Sequence, residues 1–230
     1  QIILVGISKG MKYLHDHNII HRDLKSSNIL LDNNFYPYIS DFYLIKMLEK
    51  GKSRNESNSI DTLPYVAPEL FKKRKYDPKS DVYSFGILMY EVVTDSFAYP
   101  DLESTKMTSY EFQEKIIKEN YRPVFKTPIK SNIQKLIEKC WSKNPSERTD
   151  FDDIFKKLSN INEEDSNNYL LEDVDVNKLK LYLQKINDDE EDAKDGLDKI
   201  EIENQQLKAE IKQLKISEEE KNSIIQQLEQ

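Results

Sequence analysis

The sequence predicts a mainly α-helical lobe that contains one small β-hairpin and is followed by a long C-terminal helix. Three observations lead to this prediction. Apolar residues recur at helical spacing in several segments, two short apolar runs at 28–32 and 35–40 flank an Asn-Asn turn as hairpin strands do, and a heptad pattern runs through 196–230. Hydrophobic residues make up 37% and charged residues 33%, which suits a soluble protein with one moderate core.

The helices are predicted from apolar residues three or four positions apart. The clearest is a central helix over 80–93, which is apolar on most sides and should therefore be buried. Another is predicted over 150–158, with Thr149 as its N-cap. The polar, Ser- and Asn-rich residues 46–61 are predicted to form a mobile loop. Further helices are predicted over 2–17, 109–119, 129–141 and 177–186.

Charge is unevenly spread, and the composition changes near Asn160. The net charge is −8, and residues 161–195 alone contain 12 acidic residues against 4 lysines. We therefore expect three parts: a globular domain over 1–160, an acidic linker or helix over 161–195, and a coiled coil over 196–230.

Composition also excludes several classes of protein. The sequence lacks the basic face of a nucleic-acid binder and an apolar run near the roughly 18 residues that span a membrane. The single cysteine, Cys140, cannot form an internal disulfide, and its apolar neighbours predict a buried helix residue rather than a nucleophile. The chain begins at Gln1 without a secretory signal, so we expect an internal piece of a soluble, cytoplasmic protein.

The residues best suited to chemistry lie in HRDLKSSN, which ends at Asn28, and in DFY, which begins at Asp41. A strand pair can bring Asn28 and Asp41 together, with Asp23 only a few residues away. Carboxylate and amide oxygens suit Mg²⁺ that holds phosphates, and Lys25 adds a positive charge. An isolated Asp in a loop is usually a cap or a solvated side chain, so the prediction depends on the combination.

Four motifs in a fixed order resemble the protein kinase family. HRDLKSSN followed 13 residues later by Asp-Phe has the pattern of its catalytic and metal-binding loops. The group most resembled is the tyrosine-kinase-like group of serine/threonine kinases, through GMKYLHDHNIIHRDLKSSNILLD, TLPYVAPEL, SDVYSFGILMYEVVT and CWSKNPSERTDFDDIFKKL. The resemblance covers residues 1–160. It implies a kinase C-terminal lobe that uses ATP and Mg²⁺ to phosphorylate protein substrates.

The resemblance implies a role for each motif residue. Asp23 would be the base that orients the substrate hydroxyl, and Lys25 would neutralise charge on the transferred phosphoryl group. Asn28 and Asp41 would hold Mg²⁺ and, with Lys25, the phosphates of ATP. Thr62 is similar to the threonine that hydrogen-bonds the catalytic loop. Lys25 together with the downstream TLPYVAPE resembles serine/threonine kinases rather than tyrosine kinases.

Other motif residues resemble the regulatory and structural parts of the family. Arg22 is similar to the arginine that pairs with a phosphorylated activation loop. Asp81 would hold the backbone of the catalytic loop, and Glu69 and Arg148 match a buried ion pair. Candidate phosphosites in the activation loop are Ser53, Ser57 and Ser59.

The three histidines are expected to be structural. His21 would pack against Phe42 in the core, and would therefore be neither an acid–base group nor a ligand. His15 and His17 are predicted to lie at the surface.

The sequence departs from the family pattern in three ways. Tyr43 stands where the family has a glycine, and a β-carbon there restricts the metal-binding loop. Asp61 replaces the glycine that many relatives have before the threonine, which we take as a milder change. The glycine-rich loop and the paired lysine of a kinase N-terminal lobe are absent from these residues. We therefore expect the chain by itself neither to bind ATP tightly nor to turn over.

The C-terminal residues fit a coiled coil with alternating spacings of three and four. The functional interpretation is a homo-oligomer that brings two kinase lobes together, and the alternative is a solvated helix or a disordered tail. Asn204 would favour a defined register, whereas Glu218 and Lys221 weaken the seam. The heptad positions are Leu197, Ile200, Asn204, Leu207, Ile211, Leu214, Glu218, Lys221, Ile225 and Leu228.

Three hypotheses for function remain. The first is an ATP-dependent protein serine/threonine kinase. It is favoured by the joint presence of Asp23, Lys25, Asn28, Asp41 and Thr62. The second is a pseudokinase that acts as a binding scaffold, for which Tyr43 is the main argument. The third is a structural coiled-coil adaptor that carries a decaying kinase remnant.

Overall fold

The computed structural model describes residues 1–41, 61–73, 76–104, 106–162, 165 and 168–189 of the chain. The chain divides into two units, Gln1–Leu179 and Lys180–Gln230. A helix over 176–189 crosses that division, and every other element below belongs to the first unit. The domain boundary predicted near Asn160 stays a prediction.

Several sequence predictions concern residues outside the described ranges, and they stay predictions. They concern the packing of Phe42 on His21, the effect of Tyr43 in place of the family's glycine, and the candidate phosphosites Ser53, Ser57 and Ser59. They also concern nearly all of the loop at 46–61 and the coiled coil over 196–230.

The described part of the first unit is mainly helical with one two-stranded antiparallel sheet, as predicted. The strands are β1 (Ile29–Leu31) and β2 (Pro37–Ile39). The helices are α1 (Ile2–Asp16), α2 (Leu70–Lys73), α3 (Pro78–Thr94), α4 (Pro100–Glu103), α5 (Ser109–Glu114, continued by a π-helical turn, Lys115–Glu119), α6 (Ser131–Cys140), α7 (Phe151–Ser159) and α8 (176–189). Short 3₁₀ turns lie at Ser26–Asn28, Leu63–Tyr65 and Pro145–Glu147. The predicted helices are thus confirmed, with ends shifted by a few residues.

Helix α3 forms the centre of the lobe. Its start is fixed by Asp77, whose carboxylate accepts a hydrogen bond from the Lys79 amide at 2.8 Å, and by Pro78 at the first helical position. Every residue from Ser80 to Tyr90 is buried, so this part of α3 is covered on all sides. α6 and the Leu63–Tyr65 turn pack against it, while α1 packs against α7 and β2.

The N-cap of α7 differs from the prediction. Thr149 was the predicted cap, but the cap is Asp150, whose carboxylate accepts a hydrogen bond from the Asp153 amide at 2.9 Å. Both residue types cap helices well, and Asp150 has the extended backbone that a cap requires. The Thr149 hydroxyl instead donates to the Asp153 carboxylate at 2.5 Å.

The segment that follows α7 returns to the start of the chain. The Gln1 side-chain amide donates to the carbonyl oxygens of Leu158 and Tyr169 and accepts from the Leu171 amide. Asn168 and Leu170 are buried. Residues beyond α7 therefore contribute to the first unit. None of the described helices is long and apolar enough to cross a membrane.

The ion pair predicted between Glu69 and Arg148 is confirmed. The two guanidinium Nη atoms bind the two carboxylate oxygens at 2.7 and 2.8 Å, and the Arg148 side chain is fully buried. Two of its three other N–H donors bind the carbonyl oxygens of Ser142 and Lys79, both at 2.9 Å. Its guanidinium also lies over the Tyr83 ring. Arg148 thus joins the residue before α2 and the first turn of α3 to the turn before α7.

Replacing Glu69 by alanine should lower the free energy of unfolding by about 3 kcal/mol, because the substitution leaves a buried guanidinium without its counter-charge. We place the value at the lower end of the usual range because two backbone carbonyls still accept from Arg148. Urea unfolding measures it. The control is Glu138→Ala at an exposed site on α6, expected to change stability by less than about 0.5 kcal/mol. Equal losses in the two variants would contradict the structural role of the pair.

Gly86 lets α6 approach α3 closely. A β-carbon at this position would lie 2.8 Å from the Cys140 β-carbon and 3.2 Å from the Trp141 amide nitrogen, and neither atom can move by a side-chain rotation. Cys140 is buried, as predicted, and burial raises the pKa of its thiol to about 12. The thiol is therefore a packing group at neutral pH.

The substitution Gly86→Ala should destabilise the fold by about 1–2 kcal/mol. Overpacking costs about 1–3 kcal/mol, which exceeds the gain of up to about 1 kcal/mol that alanine brings to a helix. Thermal unfolding measures the difference, with Val92→Ala on the exposed side of the same helix as control. An increase in stability would contradict the prediction, because it would show that α3 and α6 can move apart without a loss of stability.

Candidate active site

The 21–28 loop, which joins α1 to β1, is held by one carboxylate from the first turn of α3. The Asp81 side chain accepts hydrogen bonds from the His21 amide at 2.8 Å and from the Arg22 amide at 2.9 Å. Its exposed fraction is 1%. Hydrogen bonds to an ionised acceptor are stronger than neutral ones, so Asp81 fixes the backbone just before Asp23. The role predicted for Asp81 is confirmed.

The histidines differ in part from expectation. His21 is fully buried, as predicted, with its Nε2 3.0 Å from the Ser40 carbonyl oxygen. His17 is exposed, as predicted. The surface position predicted for His15 is wrong: its Nε2 lies 2.9 Å from Asp81 and its side chain is 13% exposed. Because a carboxylate only accepts, this Nε2 carries the proton.

Two residues of the site have a left-handed backbone, which is uncommon for residues other than glycine. Arg22 has φ 71° and Asp41 has φ 73°. Such conformations persist only where the surrounding structure imposes them, and at Arg22 the bond from its amide to Asp81 does so. The Arg22 guanidinium lies 5.6 Å from the centre of the Tyr76 ring.

Asp23 and Asn28 lie together at the buried end of the loop. The Asn28 amide nitrogen donates to the Asp23 carbonyl oxygen at 2.7 Å and to its carboxylate at 3.2 Å. Both side chains are buried. Since the nitrogen of the Asn28 amide is directed at Asp23, its oxygen is the atom suited to a cation.

Asp41 follows directly after the hairpin. The Ser40 amide and hydroxyl both donate to the Asn28 carbonyl oxygen, at 2.9 and 3.1 Å, so Asp41 lies one residue beyond a contact with Asn28. The Asp41 side chain is exposed. An amide and a carboxylate oxygen fit a hard cation such as Mg²⁺, which keeps several waters and needs few protein ligands. The described residues contain no cluster of three or more His, Cys, Asp or Glu side chains that could hold a metal.

Lys25 connects the loop to the residues after 60. Its ammonium donates to the Thr62 hydroxyl at 2.9 Å and to the Asp61 carboxylate at 2.8 Å, and it lies 4.0 Å from the Asp23 carboxylate. The hydrogen bond of Thr62 to the loop agrees with the resemblance, whereas the contact of Lys25 with Asp61 was not predicted. For the pair of Lys25 and Asp61, the only indication in the sequence was that Asp61 is adjacent to Thr62.

A hydrogen-bond network around Tyr65 also connects the 21–28 loop to α3, and it was not predicted. The Tyr65 hydroxyl donates to the Glu91 carboxylate and lies 2.9 Å from the Ser26 hydroxyl. Glu91 also accepts from the Ala98 amide at 3.1 Å. Burial and, secondarily, the Glu91 charge raise the pKa of Tyr65 well above its usual value, so the hydroxyl stays protonated as a donor. This network links the loop, the Leu63–Tyr65 turn and the C-terminal half of α3.

The substitution Asp81→Asn should lower the free energy of unfolding by about 1–3 kcal/mol. An amide nitrogen in place of one carboxylate oxygen would face a backbone N–H, which leaves a buried donor unsatisfied. Chemical denaturation measures the loss. The matched control is Asp77→Asn at the N-cap of the same helix, because asparagine caps as well as aspartate. A similar small effect of both substitutions would contradict the assignment of Asp81 as the support of the loop.

Comparison with known proteins agrees with this geometry. The family model for protein tyrosine and serine/threonine kinases matches residues 2–158. The serine/threonine/tyrosine-protein kinase HT1 of Arabidopsis thaliana is 35% identical to the chain over 161 residues, which cover 70% of the chain and 40% of that protein. The serine/threonine-protein kinase STY46 of the same plant is 32% identical over 70% of the chain and 27% of its own length.

A relative from another lineage gives the same result. The dual specificity protein kinase shkC of Dictyostelium discoideum is 34% identical over 66% of the chain and 30% of its own length. The chain thus spans well under half the length of these relatives. The resemblance drawn from the four motifs is confirmed: the chain belongs to the protein tyrosine and serine/threonine kinase family.

Proposed function

We propose that the chain is the C-terminal catalytic part of an ATP-dependent kinase that phosphorylates serine and threonine hydroxyls of protein substrates. The observation that carries the proposal is the 21–28 loop, which is held by Asp81 and gathers Asp23, Lys25 and Asn28. The 2.9 Å bond between Lys25 and Thr62 supports phosphoryl transfer to serine and threonine hydroxyls.

Each of these residues has a role in the proposal. Asp23 orients the substrate hydroxyl and accepts its proton, and Lys25 neutralises negative charge on the transferred phosphoryl group. The Asn28 amide oxygen and the Asp41 carboxylate hold Mg²⁺. Thr62 keeps Lys25 in place through its hydroxyl. Bound Mg²⁺–ATP would supply the phosphoryl group.

The outer face of the hairpin supports an adenine-binding role. Leu30 lies opposite Tyr38 across the two strands, and both side chains are more than half exposed. On the other face, Ile39 packs against α1 at Gly10. This exposed apolar face begins directly after Asn28. It therefore suits the flat adenine ring of a nucleotide whose phosphates lie at the metal ligands.

The test uses the full-length protein that carries this chain. Asp23→Asn should lower kcat by at least about 100-fold, because a positioned base contributes about 10²–10⁴ to the rate, while Mg²⁺–ATP affinity changes little. Asp41→Ala should instead weaken Mg²⁺–ATP binding. Radiolabel transfer and calorimetry measure the two effects. The control Asp16→Asn, at an exposed pair with Lys12 on α1, should change neither. Full activity of Asp23→Asn would refute the proposal.

A second candidate function is a pseudokinase scaffold. The observation in its favour is the Asp61 carboxylate on the Lys25 ammonium, which adds to the argument from Tyr43. A wild-type protein that binds Mg²⁺–ATP but transfers phosphate no faster than Asp23→Asn would be such a scaffold. Self-association through a coiled coil over 196–230 remains a proposal that depends on the heptad pattern alone.

A further inference from the structure

The Lys25 ammonium is already engaged by two side chains of one segment. It donates to the Asp61 carboxylate at 2.8 Å and to the Thr62 hydroxyl at 2.9 Å. An ammonium has three N–H donors, so two of them are used by these contacts. The Lys25 side chain is 12% exposed and that of Asp61 is 60% exposed, which means that the lysine is confined while the carboxylate faces solvent.

We propose that Asp61 restrains Lys25 electrostatically, because its carboxylate competes with the terminal phosphoryl group of ATP for the Lys25 ammonium. The inference rests on the proposed function, in which Lys25 binds the transferred phosphoryl group. Asp61 acts through Lys25 and is therefore a positioning residue. The neutral Thr62 hydroxyl also binds Lys25, but it adds no charge that opposes a phosphate.

The local charges support this competition. Asp23 lies 4.0 Å from the Lys25 ammonium and Asp61 lies 2.8 Å from it, so two carboxylates lie near this one cation. A phosphoryl group that approaches Lys25 must share the ammonium with Asp61 or displace it. Since Asp61 is largely exposed, water and salt screen its charge, and the effect is modest: about twofold to fivefold, as measured for exposed ion pairs.

The test compares wild type with Asp61→Asn in the full-length protein, first by calorimetry. Asp61→Asn should bind the Mg²⁺ complex of a non-hydrolysable ATP analogue about twofold to fivefold more tightly. It should bind Mg²⁺–ADP with unchanged affinity, because ADP lacks the phosphoryl group that Lys25 contacts. A change in the fold of the site would alter both affinities. Equal gains for the two nucleotides, or none, would overturn the proposal.

The second readout is kcat/KM for ATP, which should rise by the same factor. The gain should shrink in about 1 M salt, where the screening length falls to about 3 Å. It should vanish in a Lys25→Ala background, since the effect of Asp61 passes through that lysine. A gain that persists without Lys25 would overturn the proposal.

Two control variants separate charge from side-chain removal. Asp61→Glu retains the carboxylate and should show no gain. Asp152→Asn removes a carboxylate from another ion pair, 2.5 Å from Lys156 on α7, and should leave both readouts unchanged. A gain in either control as large as that of Asp61→Asn would overturn the proposal.

The failure of this inference is distinguishable from the failure of the proposed function. If wild type transfers phosphate and Asp61→Asn behaves identically, only the restraint by Asp61 is wrong. If neither protein binds the ATP analogue or transfers phosphate, both are wrong.

Discussion

The site depends on the burial of a single carboxylate, that of Asp81, beneath the loop that carries the candidate catalytic residues. Two consecutive backbone amides, those of His21 and Arg22, donate to it. With 1% of its surface exposed, this carboxylate has little water to compete for its oxygens, so releasing the loop would take two backbone donors from a buried charge and leave it the His15 Nε2 contact. The same contact sustains the left-handed backbone of Arg22 and thereby sets the direction in which the chain reaches Asp23.

Helix α3 serves both halves of the site. Its first turn supplies Asp81 to the 21–28 loop, while Glu91 near its other end binds the Tyr65 hydroxyl. Between them, the Ser84 hydroxyl donates to the Tyr65 carbonyl oxygen at 2.8 Å. The loop and the Leu63–Tyr65 turn are therefore positioned by one helix that is buried from Ser80 to Tyr90, and placement on such an element favours precise positioning of reacting groups.

The elements with strong local patterns could be predicted from the sequence. The apolar run of α3 and the Asn-Asn turn between β1 and β2 each determine a local structure, and the ion pair of Glu69 and Arg148 followed from the resemblance to a known family. One error and one unpredicted contact concern interactions between residues far apart in sequence. The bond of His15 to Asp81 joins residues 66 positions apart, and that of Lys25 to Asp61 joins residues 36 positions apart. Local spacing carries no information on such contacts.

Competition between neighbouring polar residues also limits prediction. Thr149 and Asp150 both suit an N-cap, and the backbone conformation at Asp150 decides between them. Ser26, Tyr65 and Glu91 each lie in one of the quoted motifs, but no motif pairs them with one another. Their network became visible only when the loop, the turn and α3 were placed together.

Native-state hydrogen exchange of the His21 and Arg22 amides tests most directly whether Asp81 holds the loop. If it does, both amides open only with the core of α3, and their protection approaches the free energy of global unfolding. Exchange of these two amides as fast as that of exposed turn residues would contradict the account, because the loop would then move independently of the helix that is said to position it.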